Sequence, residues 1–264
     1  MIRKARGLLA DLAYILAYGF FVVLAYSIRA YQGVRLTMVG IENIPRTGGA
    51  VYAINHTGYM DPMYAGFGPL RARRAIRYMA KDELWSTRVT RSMVTLTRTI
   101  PVDREAGSAS YQAAVDALRD GAFVGVFPEA TISRSFELKE FKSGLARMAI
   151  EAGVPIIPAV LWGSQRIATK GKPKNLHRSR TPVRLHVGKP ISPGQTPEEL
   201  MAEVRESMQA LLDEAQTQYG DHPAGEWWVP KRLGGGAPTL EEATQLDNEE
   251  IAARRARRER NPGA

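Results

Sequence analysis

Three short apolar runs most constrain the fold of this chain. They cover residues 50–54, 122–127 and 155–162, and segments with the apolar period of a helix lie between them. Nearly continuous apolar runs of this length are typical of strands that are buried on both faces, as in parallel sheets. Because such strands alternate with helices, we predict an α/β domain with a largely parallel central sheet that is flanked by helices.

Helix signals and changes in composition divide the chain further. We expect an N-terminal helical segment over residues 1–33, a main domain over 34–220 and a C-terminal extension over 221–264. A flexible joint is expected at the three glycines 234–236. One predicted helix begins at Pro62, with Asp61 as its N-cap. The others cover residues 85–97, 108–120 with Ser108 as N-cap, 143–152 and 239–260, and a long helix begins at a Thr196–Glu199 capping box.

The N-terminal segment contains a 17-residue run, Leu12 to Ile28, without a charged side chain. Basic residues precede it, and Arg29 follows it. A spanning helix needs about 20 apolar residues, with about 17 as the lower limit, so this run is at the margin. A signal peptide and a buried core helix are the competing interpretations. We expect a membrane-anchoring helix that lies in the interface or is inserted in the bilayer.

The charge balance indicates an anionic partner. The formal net charge is +9, and the chain has no cysteine, which excludes disulfides and thiolate sites. A basic chain of this kind binds nucleic acid, a membrane surface or a phosphorylated substrate. The aromatic residues are not interleaved with the basic clusters, and no zinc or helix-turn-helix pattern is evident, so we expect no nucleic acid partner.

A histidine and an aspartate, His56 and Asp61, lie five positions apart where the first apolar run ends. A histidine that is held by a carboxylate accepts a proton from a hydroxyl near neutral pH. The two side chains meet only if the segment between them is not helical, and Gly58 permits such a turn. The alternative is structural, with Asp61 as a helix cap and His56 as a loop residue.

Three further segments lie near predicted strands. They are the Ile-Pro-Val-Asp-Arg segment that ends in Arg104, the Phe-Pro-Glu-Ala-Thr-Ile-Ser segment from Phe127, and the Val-Pro-Ile-Ile-Pro-Ala segment from Val154. Because ligands bind outside the carboxyl ends of strands in α/β sheets, Glu129 and His56 are expected to share one crevice. A guanidinium such as that of Arg104 suits bidentate capture of a phosphate.

In this order, the four segments resemble the conserved blocks of the glycerolipid acyltransferases. Asn-His-Thr-Gly-Tyr-Met-Asp is similar to the N-H-x₄-D block of the 1-acyl-glycerol-3-phosphate acyltransferase family, and the segment from Phe127 is similar to its F-P-E-G-T-R-S block. The Met-Ala-Lys-Asp-Glu-Leu segment around Lys81 also resembles that family. The resemblance covers roughly residues 34–190 and implies a glycerolipid acyltransferase-like fold.

The resemblance implies an O-acyltransferase that uses acyl-CoA, or an acyl-carrier protein, as co-substrate and needs no permanently bound cofactor or metal. His56 would be the general base on the acceptor hydroxyl, and Asp61 would hold its ring. The acceptor would be 1-acyl-glycerol-3-phosphate, at the cytoplasmic face of a membrane with anionic lipids. The implied substrate-binding residues are Lys81 and Arg104 for the phosphate, and Glu129, Thr131 and Ser133 for the acceptor. The fourth block would line the acyl side.

The third block departs from the family pattern. Its glycine is Ala130 and its arginine is Ile132. Arg134, or the turn 142–144 at a helix start, is a candidate replacement for the missing cation. The departure leaves other acceptors open, namely another lysophospholipid, glycerol 3-phosphate or a glycolipid. A non-catalytic lipid-binding protein with the same fold is the alternative from a different class.

Two other basic or aromatic segments carry open alternatives. The basic loop 166–180 either meets lipid headgroups or CoA phosphates, or is a solvated loop. The pair Trp227-Trp228 either packs on the core or lies at a membrane interface. The arginines at 254–260 fit a solvated tail better than a lipid contact.

Overall fold

The computed structural model describes residues 2–81, 87–102, 107–194 and 196–260. The helices are α1 (Ile2–Gln32), α2 (Asp61–Arg71), α3 (Arg88–Leu96), α4 (Gly107–Arg119), α5 (Gly144–Ala152), α6 (Pro197–Thr217) and α7 (Leu240–Arg260). The strands are β1 (Arg35–Val39), β2 (Ala50–Ile54), β3 (Ile76–Lys81), β4 (Ile100–Val102), β5 (Phe123–Val126), β6 (Ile156–Trp162) and β7 (Pro182–Val187).

The seven strands form one sheet in the order β1-β7-β6-β2-β5-β3-β4. All neighbouring pairs are parallel except β6 and β7, which are antiparallel. The three apolar runs are β2, β5 and β6, at or beside the centre of the sheet. Every residue of β2 and β6 is buried, which explains why their sequences do not alternate. The predicted α/β fold is confirmed.

Helices cover both faces of the sheet. On one face, α4, α5 and α6 pack against residues such as Val51 and Val160, and on the other α2 packs against Tyr52 and Ile157. Adjacent residues of the same strand therefore belong to opposite layers, as the pleat requires. The predicted capping box of α6 is present, because Thr196 and Glu199 bond each other's backbone N–H.

Helix α1 lies along the domain beside α2 and β3. The Tyr18 hydroxyl accepts the Ile76 N–H at 3.1 Å, and the Tyr26 ring packs edge-on against Phe67. Near the end of α1, the buried Gln32 accepts the hydroxyl of Tyr64 at 2.6 Å. The opposite side of α1 exposes large apolar side chains, namely Leu12, Ile15, Leu16, Phe20 and Val23. The stretch Asp11–Gln32 is long and apolar enough to cross a membrane, judged by length and composition alone.

The segment after α6 packs on the domain. Trp228 is buried and lies in an aromatic group with Trp162, Tyr219 and His222. Of the two alternatives for the tryptophan pair, the structure therefore shows packing on the core. The glycine triplet 234–236 is a packed turn, and the expectation of a flexible joint was wrong. A Cβ on Gly235 would meet the Val229 carbonyl oxygen at 1.9 Å, so the chain needs a residue without one.

Two predicted helix caps differ from the structure. Helix α2 begins at Asp61 itself, with Met60 as the N-cap residue, and α4 begins at Gly107, so Ser108 lies inside the helix. The Asp61 carboxylate bonds N–H groups that precede the helix instead of capping its first turn. This difference matters because the side chain turns back toward His56.

Candidate active site

The carboxyl ends of four parallel strands meet at one edge of the sheet and supply the candidate active site. His56 follows β2, Glu129 follows β5, Ser164 follows β6, and Lys81 ends β3. Strands β2, β5 and β3 run parallel, as do β2 and β6, so these residues converge on one side of the molecule. Glu129 and His56 share this edge, as the position of ligand sites in α/β sheets predicts.

His56 and Asp61 form a hydrogen-bonded pair. The distance from His56 Nδ1 to Asp61 Oδ2 is 3.0 Å. The histidine side chain is 19% exposed, whereas the aspartate is fully buried. Asp61 Oδ2 also accepts the N–H groups of Thr57 and Gly58 at 2.6 and 2.7 Å, and Oδ1 accepts the hydroxyl of Ser164 at 2.6 Å. These donors stabilise the negative charge of the carboxylate where no water reaches it.

The turn between the pair depends on close packing at Gly58. A Cβ at this position would lie 2.7 Å from the Ala168 carbonyl oxygen, so a side chain would push the turn away from the 164–169 segment. The same carbonyl accepts the Tyr59 N–H at 2.8 Å, and the Thr169 hydroxyl donates to the Thr57 carbonyl at 2.7 Å. The turn is therefore fastened to the segment after β6 on both sides of Gly58.

Glu129 supports the backbone of His56. Its Oε1 accepts the His56 N–H at 3.0 Å, and Oε2 accepts the Lys139 N–H at 3.4 Å. Burial raises the pKa of Glu129 to about 8, although the N–H groups of His56 and Lys139 oppose this rise. A carboxyl group with this pKa is largely protonated at neutral pH.

Two neighbours fix the His56 ring and main chain from the other side. The Phe127 ring stacks on the imidazole with centroids 4.3 Å apart. Ser133 donates its backbone N–H to the His56 carbonyl at 2.7 Å, and its hydroxyl donates to the Glu137 carbonyl at 2.8 Å. Ser133 is fully buried. It therefore braces the His56 strand end instead of facing a ligand.

Three basic residues form a cluster near the third block. This cation cluster consists of Arg134, Lys139 and Lys170, whose side chains are 16–19% exposed. All three contact Asp247 of α7. Lys139 Nζ also donates to the Thr131 hydroxyl oxygen at 2.9 Å.

The two departures in the third block have different structural effects. Ile132, in place of the family's arginine, is buried. Ala130, in place of the glycine, has φ +59°, in the left-handed region that costs an L-residue about 1–2 kcal/mol. The chain thus keeps the backbone path that a glycine favours, while the side chain at position 132 carries no charge.

The remaining predicted residues are placed as follows. Lys81 and Thr131 line the cleft beside His56. Arg104 lies outside the described residues. The fourth block enters β6, where Ile156, Ile157 and Ala159 are buried in the sheet, so it supports the His56 strand and its described side chains do not line the cleft.

A cleft of about 1750 Å³ opens at this edge of the sheet. Its apolar part lies between α1 and α2, where Phe21, Ala25 and Met63 contribute side chains. Its polar part contains His56, Lys81 and two members of the cation cluster, Lys139 and Lys170. Pockets for single drug-sized ligands measure about 300–1,000 Å³, so this cleft has room for more than one ligand of that size.

The sequence patterns do not mark Ser164, Lys139 or the ring of Phe127 as site groups. Ser164 follows the apolar run 155–162, and the position of ligand sites at strand ends was a usable signal for it. Nothing in the sequence pairs Lys139 with Asp247, because 108 residues separate them.

Comparisons with known proteins agree with the resemblance. A family model described as Acyltransferase matches residues 35–162. The 1-acyl-sn-glycerol-3-phosphate acyltransferase of Bacillus subtilis is 34% identical over 137 residues, which cover 50% of this chain and 67% of that protein. The probable enzyme of Mycoplasma pneumoniae is 33% identical over 138 residues, but the match spans only 51% of its length.

A solved structure shows the same fold. The 1-acyl-sn-glycerophosphate acyltransferase of Thermotoga maritima superposes with a TM-score of 0.60 at 22% identity, and the match covers 83% of this chain and 100% of that one. The match to the Bacillus subtilis protein places the chain in the 1-acyl-sn-glycerol-3-phosphate acyltransferase family of the glycerolipid acyltransferase superfamily, in agreement with the family model.

Proposed function

We propose that this acyltransferase moves a fatty acyl group from acyl-CoA, or from an acyl-carrier protein, to the sn-2 hydroxyl of 1-acyl-glycerol-3-phosphate. The product is phosphatidic acid. The observation that carries the proposal is the His56–Asp61 pair, with its 3.0 Å hydrogen bond, at the polar end of a cleft whose other end is apolar. The names of the relatives support the choice of acceptor.

The arrangement suits general-base catalysis by His56. With Nδ1–H bonded to Asp61, Nε2 is the nitrogen that accepts the proton of the acceptor hydroxyl. The alkoxide attacks the thioester carbonyl and forms a tetrahedral oxyanion. Collapse of this intermediate breaks the C–S bond, and the imidazolium returns its proton to the leaving thiolate. Asp61 stabilises the imidazolium while it exists, as the aspartate of a catalytic triad does.

The other predicted site residues have distinct roles in this proposal. Lys81, at the cleft, and Arg104 bind a phosphate of one of the substrates. Thr131 lines the cleft and contacts the acceptor, whereas Glu129 and Ser133 position His56 through its main chain. The apolar side chains of α1 and α2 hold hydrocarbon.

We also propose that α1 attaches the protein to a membrane as a peripheral or monotopic protein of the cytoplasmic face. One side of α1 packs on the domain at Ile76, Phe67 and Tyr64, and the other exposes apolar side chains. A helix that crosses the bilayer loses its contacts with a water-soluble domain, so these contacts favour a position within one leaflet. The surface of that leaflet has anionic lipids, which the basic chain attracts.

Release of free CoA thiol from acyl-CoA, with lysophosphatidic acid as acceptor, tests the proposed reaction. His56→Ala is expected to lower kcat by at least about 10³-fold, because it removes the general base. The matched control is His177→Ala, since His177 is exposed in the basic loop and is expected to leave the rate unchanged. Equal rates for wild type and His56→Ala would reject this site.

An acceptor panel tests the substrate. Lysophosphatidic acid is compared with phosphate-free monoacylglycerol, glycerol 3-phosphate and a second lysophospholipid, each with the same acyl-CoA. We expect the highest kcat/KM for lysophosphatidic acid. A preference for the phosphate-free acceptor would contradict the proposal.

A further inference from the structure

The C-terminal helix α7 carries two carboxylates into the cation cluster. Asp247 Oδ1 lies 3.1 Å from Arg134 Nε and 3.2 Å from Lys170 Nζ, and Oδ2 lies 2.5 Å from Lys139 Nζ. Glu250 Oε2 lies 2.7 Å from an Arg134 terminal nitrogen and 3.5 Å from Lys170 Nζ. One compact group of carboxylate oxygens therefore meets all three cations, which is the coordination that a phosphate monoester needs.

The charges of this group do not balance. Arg134, Lys139 and Lys170 contribute three positive charges, and Asp247 and Glu250 contribute two negative charges, so one positive charge remains. Burial alone would raise the pKa of Asp247, but the hydrogen bond from Lys139, the charge of Lys170 and the hydrogen bond from Arg134 lower it instead. A phosphate monoester carries about two negative charges at neutral pH and offers three oxygens, so it can replace both carboxylates.

Helix α7 has little apolar attachment to the domain. Among its described side chains, only Ala243 and Asp247 are buried, while Leu240, Leu246 and Ile251 are largely exposed. The helix is stabilised internally, because Thr239 and Glu242 form a reciprocal cap at its start. A segment with few buried apolar contacts detaches at low cost. Its contact with the domain is therefore mainly ionic.

The same helix forms part of the wall of the cleft. Leu240, Thr244, Asp247 and Ile251 line it, at the spacing of one helix face. Lys139 and Lys170 line it as well, together with His56. Movement of α7 therefore widens the same cleft that contains the candidate base.

We propose that Arg134, Lys139 and Lys170 form a binding site for a phosphate monoester, and that α7 occupies it through Asp247 and Glu250 until such a ligand displaces the helix. The site takes the place of the arginine that Ile132 replaces in the third block. Its ligand is the phosphate of the acceptor or the 3′-phosphate of CoA. The link to catalysis rests on the proposed function, whereas the binding site does not.

The first test follows amide hydrogen exchange over residues 240–252 of the full-length protein. The probes are glycerol 3-phosphate, CoA and dephospho-CoA, each matched to sodium chloride of the same ionic strength. We expect a phosphate monoester to speed exchange of this segment at least about fivefold. An effect of glycerol 3-phosphate assigns the site to the acceptor, and an effect of CoA without one of dephospho-CoA assigns it to the donor. No effect beyond sodium chloride overturns the proposal.

Variants of the cluster sharpen this test. Lys170→Gln is expected to abolish the response of α7 to the active probe, whereas Lys172→Gln, in the same loop and near Trp227, is expected to keep it. An unchanged response in Lys170→Gln would contradict the site. Because these measurements need no turnover, the site stands or falls independently of the acylation reaction.

Kinetics test the displacement of the helix. The double variant Asp247→Asn, Glu250→Gln is expected to lower KM for the phosphate-bearing substrate about fivefold, with kcat nearly unchanged. The control Glu241→Gln, Glu249→Gln removes the same charge from exposed positions of α7. A fall in Tm without a change in KM relative to this control would show that the ion pairs are only structural, and would overturn the proposal.

Discussion

Asp61 and Asp247 are both carboxylates with three or more donors, but their surroundings differ. Asp61 receives two backbone N–H groups and a hydroxyl besides His56, and its side chain has no exposure. Asp247 receives only side-chain cations, from three separate segments, and its side chain is 9% exposed. Backbone donors move only when the fold opens, whereas long basic side chains reorient freely. The fold therefore fixes the position of Asp61 beside His56, while the proposed anion site can exchange its partner.

Among the substitutions that test this difference between the two carboxylates, Asp61→Asn is expected to lower kcat the most. The amide has no charge to stabilise the imidazolium, and an amide nitrogen at the Oδ2 position leaves the Thr57 and Gly58 N–H groups without their acceptor. We expect kcat to fall about 10³-fold or more and Tm to fall as well, because charge-assisted hydrogen bonds are lost. Steady-state kinetics and thermal unfolding check both effects.

Ser164→Ala is the control for Asp61→Asn. It removes one donor to Asp61 Oδ1 and leaves the contacts of Oδ2 with His56, Thr57 and Gly58. Loss of one hydrogen bond to a charged group costs about 1.5–3 kcal/mol, so kcat is expected to fall no more than about 100-fold. An equal loss in both variants would mean that the backbone donors do not fix the carboxylate.

A smaller effect is expected at Glu129, which connects the two regions through the N–H groups of His56 and Lys139. Glu129→Gln copies the shape of the neutral acid, so kcat at pH 7 is expected to stay within about tenfold of wild type. Glu129→Ala leaves the His56 N–H without its acceptor and is expected to lose more. If both substitutions have the same effect, the hydrogen bond to His56 does not matter.

The pH dependence of the free energy of unfolding shows whether Glu129 is protonated in the folded protein at neutral pH. Its pKa is about 8 in the folded protein, against an ordinary value of 4.5 for a solvated glutamate. Between these values the folded state holds a proton that the unfolded state has lost, so the free energy of unfolding falls as pH rises from 4.5 to 8. Relative to Glu129→Gln, we expect wild type to lose on the order of 4 kcal/mol over this range. Parallel denaturant titrations measure it, and parallel curves for the two proteins would contradict the raised pKa.

The smallest expected effect is that of Ala130→Gly. Glycine relieves the cost of φ +59° but adds freedom to the unfolded chain, so the net gain in stability is about 0.5–1 kcal/mol. Ala113→Gly, at an exposed position inside α4, is the control and is expected to destabilise by about 1 kcal/mol. Chemical denaturation measures both, and a loss in Ala130→Gly would show that the left-handed conformation is not strained.

The features that the sequence predicts well depend on residues that are close together in the chain. The central strands are recognisable because they are buried on both faces, and His56 and Asp61 meet because only one short turn separates them. Gly58 was expected to permit that turn, although the structural reason is its close approach to Ala168.

What the sequence does not predict depends on contacts between distant segments. Asp61 precedes Pro62 as a helix cap would, and the sequence does not show that Ser164, more than 100 positions away, holds its carboxylate inward. The glycine triplet has the composition of a flexible joint, yet Val229 packs against Gly235. Asp247 lies in a helix of mostly charged residues, and its own partners Lys139 and Lys170 are more than 70 positions away.

Helix α1 forms one wall of the cleft, and this wall is only one helix thick. Leu24 lines the cleft and is also 41% exposed, so the apolar interior and the outer apolar stripe meet at this residue. With α1 in a leaflet as proposed, an acyl chain passes sideways from lipid to protein without entering water. Moving a chain of about 15 methylenes into water would cost about 12 kcal/mol, at about 0.8 kcal/mol for each methylene. Lateral entry removes this desorption barrier from the turnover of the enzyme.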